Sequence, residues 1–367
     1  IVSVADYAGT WQTNNLTVSP NGSDKIGNVN SNVILSTEGQ SVTFIFVDST
    51  QGWINTMDST SNVRGSTHIL ASGGTESTTG NFKIHKFTGP GTFTVSNAGI
   101  GTPCAPSNVD YLVVAGGGAG GGRYGGGGGA GGWRASSGTT SGSYCAGPGP
   151  LTSPVSALPI SAQAYPITVG GGGAGVPDCN SPGGTGSVST FSTVSSAGGG
   201  GGGGQGANGV AGGSGGGGSW NPSSGGTGGS GNTPPVTPPQ GTSGGQGHGP
   251  MSPFATAGGG GATENGQNAV PSPPTAGRGG AGATSVICGS PISYSGGGGG
   301  SGEGAHGVTA GAGSPCGSGT AGSSSNTPAS SGAANRGGGG GAAYYPGPSS
   351  VSGTGGSGVV IIRYKFQ

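Results

Sequence analysis

The chain has 367 residues, enough for two or three domains, and its 10 Lys+Arg are balanced by 10 Asp+Glu. With no basic stripe and no run of about 18 apolar residues, neither nucleic-acid binding nor membrane insertion is expected. Gly (97) and Pro (26) make up about a third of the chain, but the glycines come in solid blocks such as 198–204 and 296–300. The strict Gly-X-Y period of collagen is therefore excluded.

Glycine is unevenly spread: residues 1–108 hold 13 and residues 109–367 hold 84. The fold expected is all-β plus glycine-rich, in three parts: a small β module over 1–65, a hairpin and linker over 66–108, and a glycine-rich domain over 109–367. In the first part, Leu16-Thr17-Val18 reads as a strand before the turn Pro20-Asn21-Gly22. Val33 to Ser36 and Val42 to Val47 flank Thr37-Glu38-Gly39-Gln40 and read as a hairpin. Sixty-five residues bury little surface alone, so this module is expected to dock on the rear domain or to share strands in a trimer. Phe82 to Phe87 alternates apolar and polar, and Thr92 to Val95 returns after Thr88-Gly89-Pro90-Gly91, which reads as a second hairpin. The first residue is Ile, which suggests a processed chain or part of something longer.

From Tyr111-Leu112-Val113-Val114-Ala115 the chain drives straight into glycine. This run is short, β-branched and not alternating, as in a fully buried strand. Gly358 to Phe366 is its natural partner at the far end of the chain. Between them, glycine blocks recur at 124–133, 169–175, 197–204, 257–262, 295–302 and 336–343, with long polar loops between. A helix is excluded, because interior glycine costs about 1 kcal/mol per residue relative to alanine. Polyproline-II geometry, with three residues per turn and about 3.1 Å rise, suits polyglycine instead. That geometry has no internal hydrogen bonds, so the peptide groups must bond between neighbouring segments. The expectation is a slab of packed polyglycine-II segments, framed by an opening and a closing strand.

Chemistry is sparse. Gly116 to Gly121 matches a dinucleotide-binding pattern, but more glycine follows where a helix is needed, and no acid appears between Asp110 and Asp178. Glu303 and His306 form a carboxylate–imidazole pair whose plain reading is a loop contact. The histidines show no metal spacing, and no cofactor, metal or enzymatic activity is expected. Of five cysteines, Cys145 with Cys179 and Cys288 with Cys316 are possible loop staples, and none forms a CxxC pair. Aromatic residues in polar loops near the blocks are the remaining candidates: Tyr144, Trp220, Phe254, Tyr294, Tyr344 and Tyr345, with Tyr124 and Trp133 in the same setting. Tyr and Trp offer rigid amphipathic area for recognition, although each is equally suited to packing under its own loop.

Three stretches carry a resemblance. Val109-Asp110-Tyr111-Leu112-Val113-Val114-Ala115-Gly116-Gly117-Gly118, Tyr165 to Gly172 and Gly356 to Tyr364 are similar to the glycine-rich domain of phage tail fibre proteins, especially those of marine phages. The segments 36–54 and 82–95 resemble β modules that precede such domains. The resemblance implies a virion-exposed, extracellular homotrimer that works with other fibre proteins in host attachment. It also implies packed polyglycine-II helices whose loops bind a host surface glycan or outer-membrane protein. The alternative is a purely structural virion or extracellular fibre, or a decoration protein, without receptor binding.

Overall fold

The computed structural model describes residues 1–59, 68–102, 105–152, 155–177, 180–250, 254–320, 328–344 and 351–367. The chain divides into two compact units, Ile1–Gly65 and Ser66–Gln367.

In the first unit, strands β1 (Val2–Ala5), β4 (Ser41–Asp48) and β5 (Gly52–Ser59) form one antiparallel sheet, and β2 (Leu16–Val18) pairs β3 (Val33–Leu35). Its buried apolar core is Leu35, Val42 and Phe44. The hairpin expected between 33–36 and 42–47 does not form. The Asp6 carboxylate accepts the N–H groups of Thr10, Trp11 and Gly39, and the Asp6 N–H donates to the Gln40 carbonyl. These bonds tie the 37–40 loop to the N-terminal segment, so β1 takes the edge of β4 and β3 turns to β2.

The second unit contains β6 (Ile69–Ser72), β7 (Thr75–Thr79), β8 (Phe82–Phe87), β9 (Gly91–Ala98), β10 (Asn108–Val114), β11 (Trp133–Ala135), β12 (Leu158–Pro159), β13 (Ala164–Thr168), β14 (Ser189–Phe191) and β15 (Val194–Ser196). Then follow β16 (Val270–Pro271), β17 (Pro274–Thr275), β18 (Ala283–Ser285), β19 (Ile292–Tyr294) and β20 (Val359–Lys365), with helical turns, among the described residues, only at Gly149–Thr152 and Gly304–His306. One sheet runs β11-β10-β20-β8-β7, with β12 on the end of β10, and a second runs β15-β14-β13-β9-β6. The opening and closing strands pair as expected, antiparallel, with Leu112 opposite Ile361 and Asp110 opposite Arg363.

Both strands are buried on both faces. Tyr111, Val113, Val360, Ile362 and Tyr364 meet Phe93, Tyr165, Ile167 and Phe191 of the second sheet. Leu112, Val114, Val359 and Ile361 pack on the opposite side under Trp133, Ile287 and Tyr294. The apparent hairpin of 82–95 is instead a crossing between sheets, with β8 beside β20 and β9 beside β13. Phe87 and Phe93 thus enter one core from opposite layers, and the strands over 69–98 belong to the same compact unit as the glycine blocks.

The glycine segments leave this sandwich as a lattice. Along 116–121 the peptide N–H groups bond at 2.8–3.1 Å with a period of three. Gly116 and Ala119 donate to Ser187 and Gly184, Gly117 and Gly120 to Gly356 and Gly353, and Gly118 and Gly121 to Gly129 and Gly126. The carbonyls of Gly116 and Ala119 accept from Gly199 and Gly202, those of Gly118 and Gly121 from Gly340 and Ala343, and that of Gly117 from Gly173. One segment therefore has six neighbouring segments, which is the polyglycine-II arrangement. It needs glycine for closeness. A Cβ on Gly128 would overlap the carbonyl oxygens of Gly118 and Ala119.

Segments alternate in direction. Residues 116–121 run outward from β10 and 126–132 return into β11, while 197–203 run outward from β15. The hairpins β14–β15 and β18–β19 close turns at the sandwich end. Within the polar stretch 219–252, residues 226–229 and 242–247 are lattice segments rather than loop, since Gly244 and Gly247 donate to Gly229 and Gly226.

Candidate functional site

At about 3.1 Å per residue, a segment such as 116–121 carries the chain about 19 Å from the sandwich. At the far end it must turn, and the turn residues are Gly122 to Gly125. Arg123 and Tyr124 adopt φ of 28° and 48° there, in the left-handed region disfavoured for L-residues. The turn is pinned from three other segments. Trp220 N–H donates to the Tyr124 carbonyl at 3.2 Å, and the Thr256 and Ser301 hydroxyls donate to the Gly125 carbonyl at 2.6 and 3.0 Å.

These anchors gather rings from four places in the sequence. Tyr124 lies 5.0 Å from Phe254, 6.1 Å from Trp220 and 6.2 Å from Tyr344, between ring centroids, and Trp220 lies 4.4 Å from Phe254. Edge-on and tilted pairs at these separations are favourable ring geometries. Tyr124 and Tyr344 are buried, whereas Trp220 and Phe254 are half-exposed. Beside them the buried Glu303 accepts the Phe254 N–H and pairs with exposed His306 at 3.1 Å. Burial, reinforced by the Glu303 carboxylate, raises the Tyr344 hydroxyl above its ordinary pKa. The Trp220 Nε1 and His248 Nδ1 atoms are buried and hydrogen-bond to none of the described residues. The arrangement offers half-exposed aromatic area rimmed by a carboxylate–imidazole pair.

The six aromatic candidates separate. Trp220, Phe254 and Tyr344 come together here, and Tyr345 lies outside the described residues. Tyr294 is only 1% exposed and packs against Trp133 with Arg336 over its ring, so it is core rather than surface. The β18–β19 hairpin turns it inward beneath β20. Tyr144 belongs to the sandwich end. It and Phe82 each hold the Arg363 guanidinium 4.6 Å from their ring centroids. Its hydroxyl is raised by burial and by the nearby Asp110 charge. Asp110 accepts from the Ser136 hydroxyl and from the Ser141 N–H and hydroxyl at 2.6–2.7 Å.

Cys145, Cys288 and Cys316 are free thiols, so the Cys288–Cys316 staple is absent. Cys288 sits against the second core layer, while Cys316 lies against Gly282 and Gly296. Cys179 lies outside the described residues. Tyr124, at the centre of the cluster, was visible only as a ring between two glycine runs. Its position at a lattice turn was the missing signal. Glu303 and His306 do meet, as a loop contact at this end. Among the described residues no three His, Cys, Asp or Glu side chains converge, and no helix is long and apolar enough to cross a membrane.

No curated protein matches this chain. The family described as Glycine-rich domain matches residues 88–365, from the end of β8 to the end of β20, and so takes in both the framing strands and the lattice. With three-quarters of its length matched, the chain belongs to this glycine-rich domain family.

Proposed function

We propose that this chain is a non-enzymatic component of a phage tail fibre or adhesin, a stiff lattice that holds its far-end turns against a host receptor. It works as a homotrimer on the exposed, extracellular part of the virion, alongside other fibre proteins. The receptor is a host surface glycan or outer-membrane protein. The observation that carries this reading is the joining of Tyr124, Trp220, Phe254 and Tyr344 at the lattice end remote from the sandwich. Recognition residues on turns held by a rigid scaffold are the usual economy of binding proteins, and half-exposed Trp and Phe suit it.

A second reading has its own observation. Tyr124 and Tyr344 are buried, so the cluster also serves as a plug that closes the lattice end of a purely structural fibre or decoration protein.

Binding of the full chain to host cells separates the two. The adhesin reading expects saturable binding, weakened at least tenfold by Trp220→Ala or Phe254→Ala in variants that keep the wild-type circular dichroism spectrum. Folded variants that bind like wild type, or a folded wild type that does not bind, favour the structural fibre.

A further inference from the structure

The lattice edges are not all alike. At several edges a side chain stands in for the missing neighbour. Asn208 Oδ1 accepts the Thr227 N–H at 2.9 Å, Asn265 Oδ1 that of Ser243 at 3.1 Å, and Asn268 Oδ1 that of Gln246 at 2.8 Å. The Ser331 hydroxyl accepts the Thr354 N–H in the same way. Such caps satisfy outward peptide groups and block further addition, as charged or bulged edges do for sheets.

Segment 170–175 is different. Its inner side is fully engaged: the carbonyls of Gly170 and Gly171 accept from Gly358 and Ser187, and Gly173 donates to Gly117. On its outer side, the N–H groups of Gly171 and Gly172 and the carbonyl of Gly172 bond to none of the described residues, and both glycines are exposed. Gly171 adds a second, independent mark. Among the block glycines whose surroundings are described, it is the one with ordinary negative φ whose added Cβ would meet nothing within 4 Å. Its neighbour Gly172 would strike the Gly355 carbonyl. The chain thus keeps glycine, with its high ordering entropy, at a place where nothing in its own fold requires it.

We propose that the chain associates with further copies of itself through the exposed polyglycine edge 170–175, closing a ring of three. A segment that turns glycine toward this edge can approach it at lattice spacing. The same segment of another copy has that property and carries both open donors and an open acceptor. In the lattice, neighbouring segments bond one way. Residues 116–121 donate to three neighbours and accept from three others. A copy that donates to one neighbour and accepts from a second makes a heterologous contact, and three is the smallest number that closes such a ring.

This inference rests on the homotrimer proposed above and names its interface. The test is the molar mass of the full chain by light scattering, beside Gly171→Leu. The substitution points into open space within one copy, so the variant keeps the wild-type circular dichroism spectrum while losing the stabilisation that association supplies. The expected masses are three chains for wild type and one for the variant. A trimer that persists in Gly171→Leu overturns this interface and leaves the trimer standing, and a monomeric wild type overturns both. Should the variant misfold, hydrogen exchange in wild type decides. Slow exchange at Gly171 and Gly172 in the assembled protein supports the interface, and exchange within seconds removes it.

Discussion

His85 shows how one residue is committed by its surroundings. It is fully buried on β8, with Nδ1 donating to the Gly73 carbonyl at 2.7 Å and Nε2 accepting from the Tyr364 hydroxyl at 3.0 Å. The ring stacks 5.5 Å from Tyr364 and meets Phe93 edge-on. Burial lowers its pKa below the ordinary 6.5, against a smaller upward pull from the Gly73 carbonyl and Glu76. The folded chain therefore holds His85 neutral where the unfolded chain would protonate it. Its contribution to stability is complete above about pH 6.5 and is lost as pH falls from there toward the folded value. The melting temperature should decline below that pH, and His85→Gln should flatten the decline. A limb that stays equally steep in the variant would assign it to other groups. Glycine is equally specific in its surroundings: Gly128 faces carbonyl oxygens on its neighbours, whereas Gly171 faces open space.

Strands carry the next level. The run 111–115 and the closing segment were legible as partners, because continuous β-branched stretches can be buried only between two layers. The 82–95 segment misled for a physical reason. Alternation shows that each half has one apolar face, but not whether the turn keeps both halves in one sheet. Here β20 needs a second neighbour and takes β8, while β9 joins the opposing layer. Buried on both sides, β20 should be the least forgiving strand. Ile361→Ala is expected to cost about 2–5 kcal/mol in denaturant unfolding, and Ile34→Ala, on a 60% exposed side chain of the separate first unit, close to nothing. Equal losses would mean that β20 is not the keystone of the sandwich.

Across the whole second unit, hydrogen bonds replace much of the usual apolar core. Only 29% of the chain is hydrophobic, and 5% is charged. Exposing apolar surface raises the heat capacity of unfolding, while exposing peptide groups lowers it. Calorimetry should therefore give a heat-capacity change per residue below the usual range of about 12–15 cal/mol/K. A value inside that range would mean that apolar burial dominates after all. The lattice depends on the sandwich for its register, since β10, β13 and β15 each run directly into an outward segment. This is why a family match beginning at residue 88 takes in strands as well as glycine.

Composition alone determined that the second unit would be built from glycine without helix, because neither a helix nor a collagen period tolerates solid glycine blocks. It also marked the framing strands, whose apolar character is local and unambiguous. Only the tertiary structure decided which ring belongs where. Tyr294 and Trp220 are both aromatic residues beside glycine blocks. One lies in a hairpin at the sandwich end and the other at a far turn. Tyr294 meets Trp133 from 161 residues earlier, and Trp220 meets Tyr124 from 96 residues earlier. Polyglycine has no side-chain pattern to encode which segment lies beside which, so that order is set by the strands and turns that hold the segments' ends.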